Sequence, residues 1–375
     1  MSTAADSQYP YLVGLSRVER LGAGGLRRFL ARMHTPQAVW EAPPEALREV
    51  SPALGEAIIR TRQSLNPEHL LQDAARAGCQ VLVSGIHPYP PQLAEVPFAP
   101  LVLYVRGRAE VLSLPGVAVV GTRRPSVYGL RASETLVDEL AEAGLCIISG
   151  MARGIDETAH RRALHKKAPT VAVMGCGADV CYPPESRALK RAIEEGGAVV
   201  SQFAPRSSPR PAFFPARNRV ISGLARAVLV TEAGIRSGAM ITAEYAIDQD
   251  RPLFAVAGSI LTSFSDGCNR LLSEGVATLA TNGHDILAGF NIPPTPSLPR
   301  EPPDDDESRR ILAVLESCDG FGGPDWLSME EISQRSGIEA QAVLRTLVRL
   351  ELGGSVRRAA GNVYRAHATP SRRAP

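Results

Sequence analysis

Six short apolar runs recur about 25–30 residues apart: Val117–Val120, Cys146–Ser149, Thr170–Met174, Ala198–Ser201, Ala227–Val230 and Leu253–Val256. Turn residues bound each one, and each reads as a strand covered on both faces, the habit of a parallel sheet. Helical patterns fill the gaps at Tyr128–Ala143, Glu157–His165, Pro184–Glu195, Ala216–Leu224 and Ala239–Asp248. A repeated strand–helix rhythm leaves few topologies open. It predicts an α/β fold, a doubly wound sheet with right-handed crossovers. Two earlier runs, Val81–Ser84 and Leu101–Val105, flank the proline-rich crossing HPYPPQLAEVPFAP and extend this region upstream.

The ends of the chain read differently. Residues 9–60 are helical in pattern, with apolar faces at Leu12, Leu15, Val18 and Leu21 and at Leu26, Phe29, Leu30 and Met33. Glycines 22 and 24 separate the two, so a helical hairpin is expected there; DNA backbone and plain packing both suit it. After Phe290, NIPPTPSLPREPPDDDES reads as an extended, solvated linker. Helices are expected at Arg309–Leu315, Ser328–Gln334 and Glu339–Leu350, then a hairpin in VRRAAGNVYRA turning at Gly361–Asn362. That is a winged helix. Its would-be recognition helix, EAQAVLRTLVRL, is poor in groups that read base edges. Arg357, Arg358 and Arg365 could touch phosphate, and docking to a protein fits equally well. The expected division is therefore a helical module at 1–70, the sheet domain at 71–290, a linker at 291–307 and the winged helix at 308–368.

Net charge is only +2, so nucleic-acid binding would need local basic patches. One exists: from Ser201 up to, but not including, Glu232 the chain carries arginines 206, 210, 217, 219 and 226 and no acid. No apolar run is long enough for a membrane span, and the first residues lack an export signal, so a cytoplasmic protein is expected. The six cysteines have no metal spacing and read as small buried hydrophobes.

Loops at the C-terminal ends of parallel strands are where such sheets bind ligands. Gly121-Thr122-Arg123-Arg124 follows the first core strand; its glycine admits an anion to backbone N–H groups, and Arg123 adds a fork for phosphate. Gly121 does not open G-x-G-x-x-G, so a dinucleotide cofactor is not expected. Ser149-Gly150-Met151-Ala152-Arg153-Gly154-Ile155-Asp156 follows the second. Asp156 is placed to cap the next helix, with His160 on the same face; a general-base pair and a cap beside a structural histidine both fit. Gly175, Gly177 and Tyr182 follow the third, and Tyr182 and Phe214 suit either base stacking or packing. Glu232, with Ser237 and Gly238 beyond it, is the one carboxylate at a strand end in the basic region, suited to a base or to an arginine anchor. No nucleophile elbow, metalloprotease motif or P-loop occurs. No catalytic residue, metal or cofactor is expected. Several phosphate-sized nests along one sheet edge suit a single strand with its bases free to stack.

These segments resemble the DprA/Smf family, DNA-processing protein A of natural transformation. The resemblance rests on VAVVGTRRPSVYG (117–129), SGMARGIDETAH (149–160), TVAVMGCGADVCYPPE (170–185), FPARNRVISGLARAVLVTEAGIRSGAMITAEYA (214–246) and GCNRLLSEGV (267–276). It implies an extended Rossmann-like core with a helical module of sterile-alpha-motif type and a winged helix. It further implies a non-enzymatic homodimer that binds single-stranded DNA and loads RecA on it. Arg123 would be a DNA contact, Arg217, Asn218 and Arg219 would form the Arg-Asn-Arg motif, and both outer arginines would hold phosphates. Gly121, Gly150, Gly154 and Gly238 would admit the backbone. The chain departs from the pattern at Gln202, Ala204 and Ala257. Pro184 stands where a lysine often follows Tyr-Pro, which moves that contact to Arg187 or Lys190. Two other classes stay open: a nucleotide-processing enzyme cleaving glycosidic bonds, whose Pro-Gly-Gly-x-Gly-Thr run is missing at 232–238, and a duplex-binding regulator.

Overall fold

The structure is a computed structural model. It describes residues 4–86, 88–289, 305–316, 327–352, 356–359 and 363–366. The chain divides into two compact units, Met1–Pro293 and Pro294–Pro375.

The first unit opens with helices α1 (Ala4–Ser16), α2 (Gly22–Met33), α3 (Pro36–Glu41), α4 (Pro44–Val50), α5 (Pro52–Ser64) and α6 (Pro67–Arg76). Proline in the first turn starts α3 to α6, where its missing N–H costs nothing. Then come β1 (Gln80–Val83), a short α7 (Pro91–Ala94), β2 (Val102–Gly107), β3 (Gly116–Val120), α8 (Val127–Glu142), β4 (Cys146–Ser149), α9 (Ile155–His165) and β5 (Thr170–Val173). The unit continues through α10 (Arg187–Gly196), β6 (Ala198–Ser201), α11 (Phe213–Leu224), β7 (Ala227–Val230), α12 (Gly238–Asp248), β8 (Leu253–Ala255), α13 (Asp266–Ser273), β9 (Thr278–Leu279) and α14 (Gly283–Gly289).

The nine strands form one sheet in the order β1-β2-β6-β5-β4-β3-β7-β8-β9. From β6 to β9 every pair is parallel, while β1–β2 and β2–β6 are antiparallel. The six expected core strands form with bounds within a residue, and the doubly wound sheet is present as expected, made mixed by the antiparallel pair at one edge. Alternation places Val117 and Val119 in one core with Leu136 and Leu140 of α8, and Ala118 and Val120 in the opposite core with Val220 and Leu224 of α11. Leu15, Phe29, Trp40 and Ile58 of the N-terminal helices share a core with Val83, Tyr104 and Met174.

One helix starts three residues ahead of its pattern: α11 at Phe213 instead of Ala216, because Pro215 is tolerated in a first turn. Pro184–Ser186 is a single 3₁₀ turn ahead of α10.

The second unit holds α15 (Asp306–Glu316), β10 (Leu327–Ser328), α16 (Met329–Ser336), α17 (Ala340–Leu352), β11 (Val356–Ala359) and β12 (Val363–Ala366). A capping box between Ser328 and Glu331 begins α16. The strands order β10-β12-β11 over Ile311, Ile332, Val343 and Leu347, a winged helix as expected. The Gly361–Asn362 turn, and residues 291–304 of the expected linker, lie outside the described residues.

Candidate nucleic-acid interface

The sheet order reverses where β3 sits beside β7, and the loops after those strands meet there. The Thr122 N–H donates to the Glu232 carbonyl at 2.7 Å and the Thr122 hydroxyl accepts from the Arg124 N–H at 3.2 Å, which fixes the first loop. Glu232 is 1% exposed and holds the start of α8: its carboxylate accepts the Ser126 N–H at 2.7 Å and the Ser126 hydroxyl at 2.6 Å. It therefore holds a helix start and anchors no arginine among the described residues. Gly121 lies so close to Ile155 and the Glu232 carbonyl that a Cβ would collide with both. Gly154, at φ 84°, turns the second loop past the Thr122 carbonyl.

Beneath these loops lies Arg217, 5% exposed. One of its terminal nitrogens donates to the carbonyls of Gly150 and Val173, and its Nε donates to the Asn218 side chain at 3.1 Å. Asp156 is 7% exposed and accepts the N–H groups of Gly150 at 3.2 Å and Ala152 at 3.4 Å. Burial pushes the Asp156 carboxyl up and the Arg217 guanidinium down, and the attraction between them opposes both shifts. Two expectations change here. Arg217 is a buried strut between the loop after β4 and the end of β5, one terminal nitrogen held by two carbonyls, and it borders the groove from below instead of standing free in it. Asp156 closes its own loop instead of capping a helix from outside, because α9 begins at Ile155 with Gly154 at its N-cap.

His160 pairs with Thr170, Nδ1 to Oγ1 at 2.7 Å, while Thr170 donates to the Ile147 carbonyl. Nδ1 therefore carries the proton, and Nε2 is buried without a partner among the described residues. Desolvation, with Arg217 adding repulsion, lowers the His160 pKa to about 3. It is a structural histidine. Ser149 and Met151 are fully buried, Ser149 donating to the Val119 carbonyl at 2.6 Å, so both shape the floor and present no group to a ligand.

Above this floor opens a groove of about 810 Å³, lined by Gly121 to Arg124, Ala152, Phe214, Arg236, Ser237 and Gly238. Arg123, Arg124 and Arg236 are exposed and form no ion pair among the described residues. The Arg123 guanidinium stands 5.7 Å from the Phe214 ring, and Tyr182, 40% exposed, packs tilted on Phe214 at 5.6 Å. A smaller recess of about 150 Å³ lies among Arg123, Ala152, Gly175, Tyr182 and Phe214. Gly175 makes room for the Phe214 ring, and Gly177 for the Asp179 carboxylate and the Ala204 carbonyl. Gly238 faces open space, with Ser237 capping α12 through the Ala239 N–H at 3.3 Å and the Asn218 amide tied to the Gly238 carbonyl at 3.2 Å.

Three expected cations are elsewhere. Arg219 does not line the groove; its guanidinium lies 5.9 Å from the Phe98 ring. Lys190 is 5% exposed and paired with Glu194, so it is closed to phosphate; its neighbour Arg187 remains exposed without an ion pair among the described residues. Arg226 sits at the opposite end of β7. Arg236 and Phe264 line the groove although neither was singled out. An unpaired arginine just before the Ser237 N-cap was the available signal for the first. Among the described residues no His, Cys, Asp and Glu group could hold a metal, and no helix is long and apolar enough to cross a membrane.

Comparison with known proteins follows the same lines. A family model of DNA recombination-mediator protein A matches residues 80–291, and a DprA winged helix domain matches residues 293–362. Protein Smf of Synechocystis is 36% identical over 297 residues, covering 77% of this chain and 74% of that protein. DNA processing protein DprA of Streptococcus pneumoniae is 45% identical over 202 residues, 54% of this chain and 71% of that one. A crystal structure of the Streptococcus pneumoniae protein superposes with TM-score 0.68 and 33% identity over 78% of this chain and 99% of its own. DNA processing protein A from Helicobacter pylori, described for its unique single-stranded DNA binding mode, superposes with TM-score 0.51 and 31% identity, over 56% of this chain and 96% of its own.

Proposed function

The chain belongs to the DNA recombination-mediator protein A family, and from that premise we propose that it binds single-stranded DNA in the groove at the C-terminal strand ends. There it protects incoming or repair-intermediate strands and loads RecA on them, without catalysing a reaction itself. The observation that carries this reading is the lining of the groove: Arg123, Arg124 and Arg236, in no ion pair among the described residues, line it with Phe214, and Tyr182 packs on Phe214 in the adjoining recess. Unpaired guanidinium forks suit phosphates, and exposed rings suit unstacked bases. The single-stranded DNA binding named for the Helicobacter pylori relative supports the same ligand. Asp156 and Glu232, the carboxylates a hydrolytic rival would need, are both engaged with backbone and hydroxyl donors. A second copy would join at the β9 edge, where Thr278 and Leu279 are exposed beside Val276.

Fluorescence anisotropy with a labelled poly-dT oligonucleotide and its duplex tests the reading. Single strand should bind more tightly than duplex, and Arg123→Ala should weaken it at least about tenfold, or about 1.4 kcal/mol. With about four phosphates neutralised, log K should fall against log salt with a slope near −3. Salt-insensitive binding, or binding indifferent to Arg123→Ala, would rule the groove out.

A further inference from the structure

The segment between β8 and α13 is a loop with a fixed neck and an apolar tip. Asn269 closes the neck: its side chain accepts the Gly258 N–H at 3.0 Å and donates to the Gly258 carbonyl at 3.1 Å. Gly258 and Ser265 approach so closely that a Cβ on the glycine would strike the serine side chain. The Gly267 N–H, just past the neck, donates at 2.8 Å to the carbonyl of Ala233, in the loop that carries Arg236. At the tip Ile260 and Leu261 are each 88% exposed, the largest exposures among the large apolar residues described. Residues 257–265, AGSILTSFS, carry no charge. Ser263 and Phe264, on the returning leg, line the same groove as Arg123 and Arg236.

We propose that this loop is a base-contacting flap: Ile260 and Leu261 press on nucleobases of a strand whose phosphates lie on the arginine floor. This rests on the single-stranded DNA reading above. The tip carries no charge to hold a phosphate, and its two most exposed side chains are hydrocarbon, so the bases are the part of a strand that they suit. Two apolar side chains are also far too small a patch for a stable dimer, which needs about 800 Å² per partner. Phe264 connects the tip to the groove, so a strand leaving the arginines on this side meets the flap next.

The test uses the full chain with Ile260→Ser and Leu261→Ser together; both sites are exposed, so the fold should persist. Anisotropy is read with labelled poly-dT and with an abasic oligonucleotide of the same length. The double variant should bind poly-dT about fivefold more weakly and the abasic strand as wild type does, since base contacts add to backbone contacts. Arg123→Ala should weaken both. Unchanged poly-dT binding by the double variant overturns the flap. If Arg123→Ala still weakens that binding, the groove survives and the flap alone fails; if neither variant matters, the groove reading fails first. Equal loss on both oligonucleotides also overturns it, because the tip would then act on the backbone. So would sedimentation showing that the variant has become monomeric with its poly-dT affinity intact, since the tip would then meet a second copy.

Discussion

Arg217 and Arg219 are two residues apart, and on an α-helix that separates them by about 200°. One therefore points down into the sheet ends, onto Gly150 and Val173, while the other points away to Phe98. The cation-rich triplet was legible in the sequence. Its split was not, because the carbonyl partners of Arg217 come from two strand ends distant along the chain. Arg217→Met should thus act on the fold: it strands the buried Asp156 carboxylate and should cost about 3 kcal/mol, seen as a lower melting temperature. The salt slope for poly-dT should stay as in the wild type. A variant that melts normally while its slope falls by about 0.7, the loss of one phosphate, would return Arg217 to the ligand. Lys190 teaches the same lesson, its charge closed off by a glutamate one turn along α10.

At the level of elements, apolar runs bounded by turns located β3 to β8 to within a residue, because burial on both faces leaves the sequence no alternative. Two-residue strands such as β9 and β10 carry too little pattern to be read. Ser126 caps α8, and the carboxylate that holds it, Glu232, lies 106 residues further on, beyond the reach of any local pattern. That link holds the β3 and β7 loops in one register. Glu232→Gln should weaken it by about 2 kcal/mol, since bonds to a charged acceptor are replaced by neutral ones. Thermal unfolding should register the loss while poly-dT affinity at 25 °C stays within about a factor of two. A large fall in affinity with an unchanged melting temperature would mean that Glu232 acts on the ligand instead.

For the whole molecule, the repeated strand–helix rhythm foretold the winding of the sheet. The antiparallel attachment of β1 and β2 to β6 could not be read, since adjacency in the sheet is decided by which face each crossover covers. All residues that line the groove fall between Val120 and Phe264, inside the first unit. A chain ending at Pro293 should therefore keep its poly-dT affinity within about twofold, a change below the cost of one lost contact. A tenfold loss would make the winged helix part of the single-strand site.

The floor of the groove also sets how such a protein can vary. A side chain at Gly121, Gly150, Gly154 or Gly175 would meet Ile155, the Arg217 guanidinium, the Thr122 carbonyl or the Phe214 ring. The first three are buried side chains or backbone with no room to retreat, and only the Phe214 ring borders open space. Adaptation to another strand chemistry, by selection or by design, is thereby channelled to the outward positions: Arg123, Arg124, Tyr182, Arg187 and Arg236. The chain can retune its grip there, one side chain at a time, while the backbone cradle beneath stays the same.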